Sequence, residues 1–505
     1  MQTFFRSLSA LRTTVTRFSL AAAACGFGLA HADGPGDKYW PQWRGPLASG
    51  VAPHAKPPTE WSETKNVRWK VEIPGEGLAT PVVWGDRIYL LTAIKEPTAS
   101  EKPQTHAPAG GVTIDVTLAP GASIDDAILA LMQQENPPQN PPAEGRPRQD
   151  RPGRGEPRPG GGGGRGPRPA PTEKYRFAVL ALDRATGKTV WDTTVCEKTP
   201  HVAVHQDSTQ ASPSPITDGE HIIAYFGSRG LHCLDMNGKI IWQKDFGQMR
   251  TRNNFGEGAS PALHGDTLVV TWDHEGEDFI AAFNKKTGDE LWRVPRDEPT
   301  TWSTPLIVEV GGTMQVIASG TNKIIGYELK TGKQIWECGG LTQNVIPSPV
   351  YADGLLIAVS GFRGAAAKAI KLAAAKGDIS NSKDAIVWTY EANTPYVPSP
   401  LLAGGLLYFY DVNRPILTCL DAKTGEKKFG PERLDAINGA YASPIEAAGH
   451  VYLIGRNGKS LVLKLGPEFK VVATNELDDS FDSSPVAVDD MLYLRGRKSL
   501  YCIGQ

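Results

Sequence analysis

Three sets of residues in this 505-residue chain are of types that could do chemistry. Arginines recur in short loops, GSRG (227–230), SGFRG (360–364), YDVNRP (410–415), GRNGK (455–459) and RGRK (495–498), which carry Arg229, Arg363, Arg414, Arg456 and Arg495. Facing one channel, they would form a cationic ring suited to carboxylates or phosphates, because a guanidinium presents a rigid fork of N–H donors. The alternative is that each pairs with an acid such as Asp478, Asp479 or Asp482. Asp273, His274 and Glu275, with Glu257 and His205, combine imidazole and carboxylate groups of the kind that hold a divalent metal. Three adjacent residues on one loop do not all ligate easily, so a hydrogen-bonded loop is the competing reading. Trp302, Tyr396, Tyr441 and Phe481 stand at comparable positions and could floor a flat ligand by stacking, or be buried structural aromatics. Other signatures are missing: there is no GxSxG elbow, HExxH, phosphate-binding loop or CxxCH haem site.

These residues sit in loops, so the elements between the loops must place them. AVLALDRATGKTVW (178–191) is an apolar strand, a turn in which Gly187 is free to take positive φ, and a second strand planting Trp191. The unit recurs as LHCLDMNGKIIW ending at Trp242, IAAFNKKTGDELW at Trp292, IIGYELKTGKQIW at Trp336 and LTCLDAKTGEKKF at Phe429. A second marker accompanies it: Ser/Thr-Pro, a short apolar strand, a Gly/Asp turn and another apolar strand. It occurs eight times, from ATPVVWGDRIYLLT (79–92) to SSPVAVDDMLYLRG (483–496). From Pro215 to Pro485 the marker prolines are 46, 44, 44, 51, 44 and 41 residues apart. That is the period of a four-stranded propeller blade.

The pattern therefore predicts an all-β, eight-bladed propeller of four-stranded blades. The last repeat stops at LYCIGQ, one strand short, and NVRWKVEI (66–73) supplies that strand with Trp69 in the Trp position. Closing the ring this way removes free sheet edges. Trp388 and Val472 mark the outer strands of the two irregular blades. The loops leading into each inner strand and those linking the two hairpins of a blade converge on one mouth of the channel, where the candidate residues would meet.

The ends and the insertion read differently. A basic, acid-free start with Arg6, Arg12 and Arg17, the apolar run FSLAAAACGFGLA and an Ala30-His31-Ala32 cleavage site make residues 1–32 a secretory signal peptide. A lipid anchor at Cys25 is not expected, since Ala22 stands where a lipobox wants a Leu-like residue. No other apolar run is long enough to span a membrane. Residues 33–60 form an irregular Trp/Pro-rich leader, with Trp40 and Trp43 packing on the main body. Residues 61–505 form the propeller, interrupted by an insertion over 94–174. Its Pro/Gly/Arg-rich part (137–171), with seven arginines against three acids, cannot build a core. The piece before it could form a hairpin and a small helix capped by Ser123. Five cysteines remain after the signal, an odd number, and Cys233, Cys419 and Cys502 fall at one repeat position. They read as buried small hydrophobes, not as a disulfide framework.

The repeated AxDxxTGxxxW unit and the Ser/Thr-Pro hairpin marker resemble the PQQ-like β-propeller superfamily, and the WPQWRGP leader resembles its exported BamB-like, PQQ-binding-like group. The resemblance implies the propeller fold, with the Trp and Gly as architectural residues. Its quinoprotein branch binds pyrroloquinoline quinone and Ca²⁺ over the channel, stacks the quinone on a Trp and uses an Asp base. On that branch Trp302 would stack, Arg229 or Arg363 would grip quinone carboxylates, with Arg414, Tyr396 and Tyr441 as further cofactor contacts, and Asp273 would be the base. The adjacent cysteines many of these enzymes carry are absent here. The other branch scaffolds through its loops and binds no quinone. The expected function is an exported binding or scaffold protein of the periplasm or cell envelope, a monomer with an envelope protein or small anionic ligand at the mouth and no nucleic-acid partner. The alternatives are a PQQ/Ca²⁺-dependent oxidoreductase and a metal-dependent hydrolase or lyase built on His205, Glu257, His274 and Glu275.

Overall fold

The computed structural model describes residues 36–96, 169–411 and 415–505. The signal peptide, Arg414 and the insertion's Ser123 and Arg/Gly-rich run lie outside them. Among the described residues there is no α-helix; strands are joined by turns and three single-turn 3-10 helices. They form eight antiparallel four-stranded units, two of which gain a short parallel fifth strand. The chain is an all-β, eight-bladed propeller.

The first blade runs outward through Val82–Trp84, Arg87–Lys95, Tyr175–Asp183 and Thr189–Lys198. Its two middle strands are continuous apolar runs because each blade is covered on both faces by its neighbours. Outer strands alternate half-buried and exposed residues, as Ile240–Lys244 does. The eighth blade combines Val486–Val488, Met491–Arg495 and Ser499–Ile503 with Val67–Glu72, which pairs antiparallel to Ser499–Ile503 with Trp69 opposite Cys502. The ring is thus closed by an N-terminal strand, as the Trp count predicts.

The repeated Trp locks blade to blade. Trp191, Trp242, Trp292 and Trp388 each donate an indole N–H to a turn carbonyl of the next blade, on Met236, Lys285, Leu329 and Ala422. Trp69 does the same to Arg184 of the first blade. The turn glycine seats the ring: Gly288 has φ 74°, and a Cβ there would lie 2.7 Å from the Trp242 indole. The fourth blade departs from this pattern. In the fifth blade an insertion, residues 372–385, replaces the ATGK-type turn, and its Gly377–Asp378 pairs alongside Trp336–Glu337. Trp336 is covered completely and donates instead to Gln315 Oε1 at 3.0 Å.

The five described cysteines are unpaired. Cys233, Cys419 and Cys502 are at most 2% exposed and lie opposite Trp242, Phe429 and Trp69. Burial raises the Cys233 and Cys419 thiols to about 12, so they behave as small apolar groups.

Candidate functional site

The Ser/Thr of the marker builds the channel. In each blade its side-chain oxygen accepts the main-chain N–H of the equivalent residue in the preceding blade. Thr80 donates to Ser214, Ser214 to Ser260, Ser260 to Thr304 and Thr304 to Ser348, at 2.8–3.2 Å. Ser348 then donates to Ser399, Ser399 to Ser443, Ser443 to Ser484 and Ser484 back to Thr80, at 2.9–3.2 Å. Eight hydroxyls close one circle. The following Pro has no N–H to satisfy, which leaves the Ser/Thr N–H as the donor available at this point.

The leader closes one end of this channel. Trp40 exchanges main-chain hydrogen bonds with Val83 of the first blade, and Pro41 accepts from Thr217 of the second. Trp43 donates its indole N–H to Ser348 Oγ of the fifth. The fully buried Arg44 donates to the carbonyls of Pro400 and Pro444, in the sixth and seventh, and to Ser49 within the leader. Burial lowers the Arg44 guanidinium to about 9, against an opposing pull from Tyr410; among the described residues its hydrogen bonds go to carbonyls. Trp40 and Trp43 pack on the main body as predicted.

Above this floor lies a cavity of about 400 Å³. All eight ring hydroxyls line it, together with the aromatic residues Trp43, Phe255, Trp302, Phe362, Tyr396 and Tyr441. Phe362 and Tyr396 stack with centroids 4.8 Å apart. On one wall the loop before the second blade reaches to the seventh. Asp207 meets Arg456 Nη2 at 2.6 Å and accepts the Tyr441 hydroxyl at 3.3 Å. Arg456 also pairs with Asp482 at 2.7 Å, and Arg497 holds the other Asp482 oxygen at 2.6 Å. Burial would raise the Asp207 carboxyl, but Arg456 outweighs it and holds it below its ordinary value. Burial and the Asp207 charge push the Tyr441 hydroxyl up to about 12, so it stays a neutral donor.

Trp302, Tyr396, Tyr441 and His205 therefore reach the cavity, while the other described candidates do not. Phe481 is buried against Tyr501. The described arginines make no cationic ring. Arg229 is buried and paired with Glu257 at 3.0 Å; Arg495 is buried and donates to the carbonyls of Ala79 and Leu91; Arg363 is exposed beside Phe362. Each buried guanidinium needs acceptors, and the nearest are in the protein itself. The metal reading meets the same physics. Glu257 accepts from Ser228 N and Oγ as well as Arg229, and Glu275 accepts from Thr300. His274 Nδ1 accepts the Arg250 N–H, and burial lowers that imidazole. His205 stands apart at the mouth, edge-on to Phe255 and 3.5 Å from Asp207. Among the described residues these four form no ligand set; the group with ligand atoms close enough is Asp218, Glu220 and His221, where Asp218 is already paired with Lys285. Asp273 is no free base either: Arg296 grips it at 2.7 and 3.2 Å, and Thr301 donates at 2.7 Å. Phe255, Phe362, Trp43, Asp207 and the ring hydroxyls are site residues that loop composition did not single out, although the hydroxyls were in view as the repeat marker.

Residues 176–430 and 310–503 each match the family described as outer membrane protein assembly factor BamB. The chain belongs to this BamB family. The outer membrane protein assembly factor BamB of Yersinia pestis is 23% identical over 334 residues, covering 63% of this chain and 77% of that protein. A europium-containing methanol dehydrogenase superposes with a TM-score of 0.54 at 11% identity, over 92% of this chain and 91% of that one. The quinohemoprotein alcohol dehydrogenase ADHIIG of Pseudomonas putida HK5 gives 0.53 at 10% identity, over 93% and 80%. At such identities the two dehydrogenases share the fold with this BamB-family chain. Pyrroloquinoline quinone, which the quinoprotein branch uses, is a poor match to the described cavity: among the described lining residues its carboxylates would meet no Lys or Arg, and would face Asp207 and Asp482 with His205 as the one imidazole. Ca²⁺ would find both of those carboxylates already held by guanidinium groups.

Beside Arg296, burial raises Glu298 from 4.5 to about 7, against the opposing N–H groups of Asn322 and Lys323. A carboxyl raised in the folded state contributes stability that is full below its unfolded value and lost as pH rises through the folded one. Between pH 4.5 and 7 this group should cost up to ~3 kcal/mol. Urea unfolding of the wild type and Glu298→Gln at pH 4.5 and 8 measures it. The wild type should lose that much more stability than the variant; parallel losses would show that Glu298 titrates normally.

Proposed function

We propose that this chain is a binding or scaffold propeller of the cell envelope, holding its ligand or partner at the mouth of the channel. One observation carries this reading: the carboxylates that a reaction centre would use are paired with guanidinium groups, those lining the cavity included, and the rest of the lining is mostly hydroxyls, aromatic rings and apolar side chains. Asp273 is held by Arg296, Glu257 by Arg229, and Asp207 and Asp482 by Arg456. The BamB family's described role in outer membrane protein assembly and the secretory signal read at residues 1–32 support an envelope setting. Among the described residues no helix is long and apolar enough to cross a membrane.

The test is titration of the purified protein with pyrroloquinoline quinone, with and without Ca²⁺, followed by tryptophan fluorescence. Trp43 and Trp302 line the cavity and would report occupancy. The expected result is no saturable, calcium-dependent quenching at tens of micromolar. Saturable quenching that needs Ca²⁺ and disappears in Trp302→Ala would replace this reading with the quinoprotein oxidoreductase.

A further inference from the structure

The eight ring hydroxyls accept within the protein and keep their own O–H groups for the cavity. Each spends a lone pair on the N–H of the preceding blade, and Ser348 accepts from Trp43 as well. Among the described residues none of the eight donates its own O–H to a protein acceptor. Eight O–H groups that no described protein acceptor takes are therefore available to an acceptor on the floor of the cavity.

The charge around them is balanced. Asp207 and Asp482 face Arg456 and Arg497, two acids against two guanidinium groups, with His205 3.5 Å from Asp207, and among the described residues no Lys or Arg lines the cavity. An anion would sit beside two carboxylates whose facing guanidinium groups are already paired with them. A cation would have to break ion pairs whose partners are half-buried or buried. Either charge would leave water uncompensated. The walls are aromatic, and the Phe362–Tyr396 stack and Trp302 offer apolar faces. A volume of about 400 Å³ lies within the ordinary range of small-molecule sites, roughly 300–1,000 Å³.

We propose that this cavity binds a neutral saccharide, with its C–H faces against the aromatic wall and its hydroxyl groups against the ring of Ser/Thr hydroxyls. A sugar hydroxyl can accept from the ring and donate to a free lone pair of Asp207 or of the ring itself. A flat apolar molecule would leave the eight donors unmatched. This assignment rests on the binding reading above and names the class of ligand for the same site.

Isothermal titration of the purified protein with glucose, maltose and N-acetylglucosamine tests it, with gluconate and glucosamine as charged counterparts. At least one neutral sugar should bind in the millimolar range or tighter, and the charged counterparts at least ~10-fold more weakly. Tyr396→Ala should weaken the neutral sugar at least ~10-fold, and Tyr396→Phe, which keeps the ring, less than ~3-fold. Circular dichroism melts check that both variants fold; if Tyr396→Ala does not, the comparison of neutral with charged sugars still decides. The proposal is overturned if no neutral sugar binds at about 10 mM, or if gluconate or glucosamine binds as tightly as they do. In that event an absent quinone response would leave the binding reading standing, whereas calcium-dependent quinone quenching would remove both.

Discussion

Replacing Asp273 with Ala is expected to lower the free energy of unfolding by about 3–5 kcal/mol, the cost of stranding a buried charge. Arg296 is at 0% side-chain exposure and Asp273 at 1%. Burial alone would lower the Arg296 guanidinium, and the facing Asp273 carboxylate more than offsets it. Removing the carboxylate leaves that guanidinium with the Tyr327 hydroxyl, at 3.0 Å, as its described side-chain hydrogen-bond partner and Glu298 as the nearby acid, and leaves Thr301 without its acceptor. Asp273→Asn should cost less, since an amide oxygen still accepts from Arg296 or Thr301. The double variant Asp273→Leu/Arg296→Met should recover much of the loss, because an apolar pair of similar volume avoids desolvating either ion. Urea denaturation of the four proteins at pH 7 measures the series. An Ala variant within 1 kcal/mol of wild type would mean that water reaches the pair and that Asp273 is freer than its geometry indicates.

Arg44→Ala is expected to cost at least ~3 kcal/mol, because three buried carbonyls lose their donor together and a long side chain leaves a void. The guanidinium spans Ser49, Pro400 and Pro444, joining the leader to two blades. Arg44→Lys should restore less than half of this, since an ammonium cannot present a planar fork to three acceptors. The leader should also become the first site of proteolysis, and Trp43 should lose its contact with Ser348. Limited proteolysis with N-terminal sequencing, read beside the urea midpoint, separates a loosened leader from a destabilised propeller. A protected leader in Arg44→Ala would show that Trp40, with its main-chain pairing to Val83, suffices to hold it.

The fold was legible because its determinants are local and repeated. A Gly that tolerates positive φ, a Trp four residues on and an apolar alternation lie within a dozen residues of each other in four copies, and Phe429 replaces the Trp in a fifth. Counting Trp69 with the other outer-strand ends was enough to place Val67–Glu72 on the last blade. Departures arose where a segment outside the repeat intervenes, as Gly377–Asp378 does beside Trp336.

The site was legible in its aromatics and not in its charges. Trp302, Tyr396 and Tyr441 stand two or three residues before the marker Ser/Thr, so the blade that carries the marker brings them near the channel, although Phe481, three residues before Ser484, turns instead onto Tyr501. The arginines of the linking loops have no such constraint. Whether Arg229 faces the channel depends on Glu257, and whether Arg456 is free depends on Asp207, 249 residues away in sequence. The sequence by itself determined the number of blades, the closure of the ring and the burial of Cys233, Cys419 and Cys502, because short-range turn geometry and side-chain period set them. Only the tertiary structure decided that eight marker hydroxyls form one circle, that the leader floors it, and that the acids and bases at its rim neutralise each other. Those outcomes depend on which partners the closed ring brings within hydrogen-bond reach.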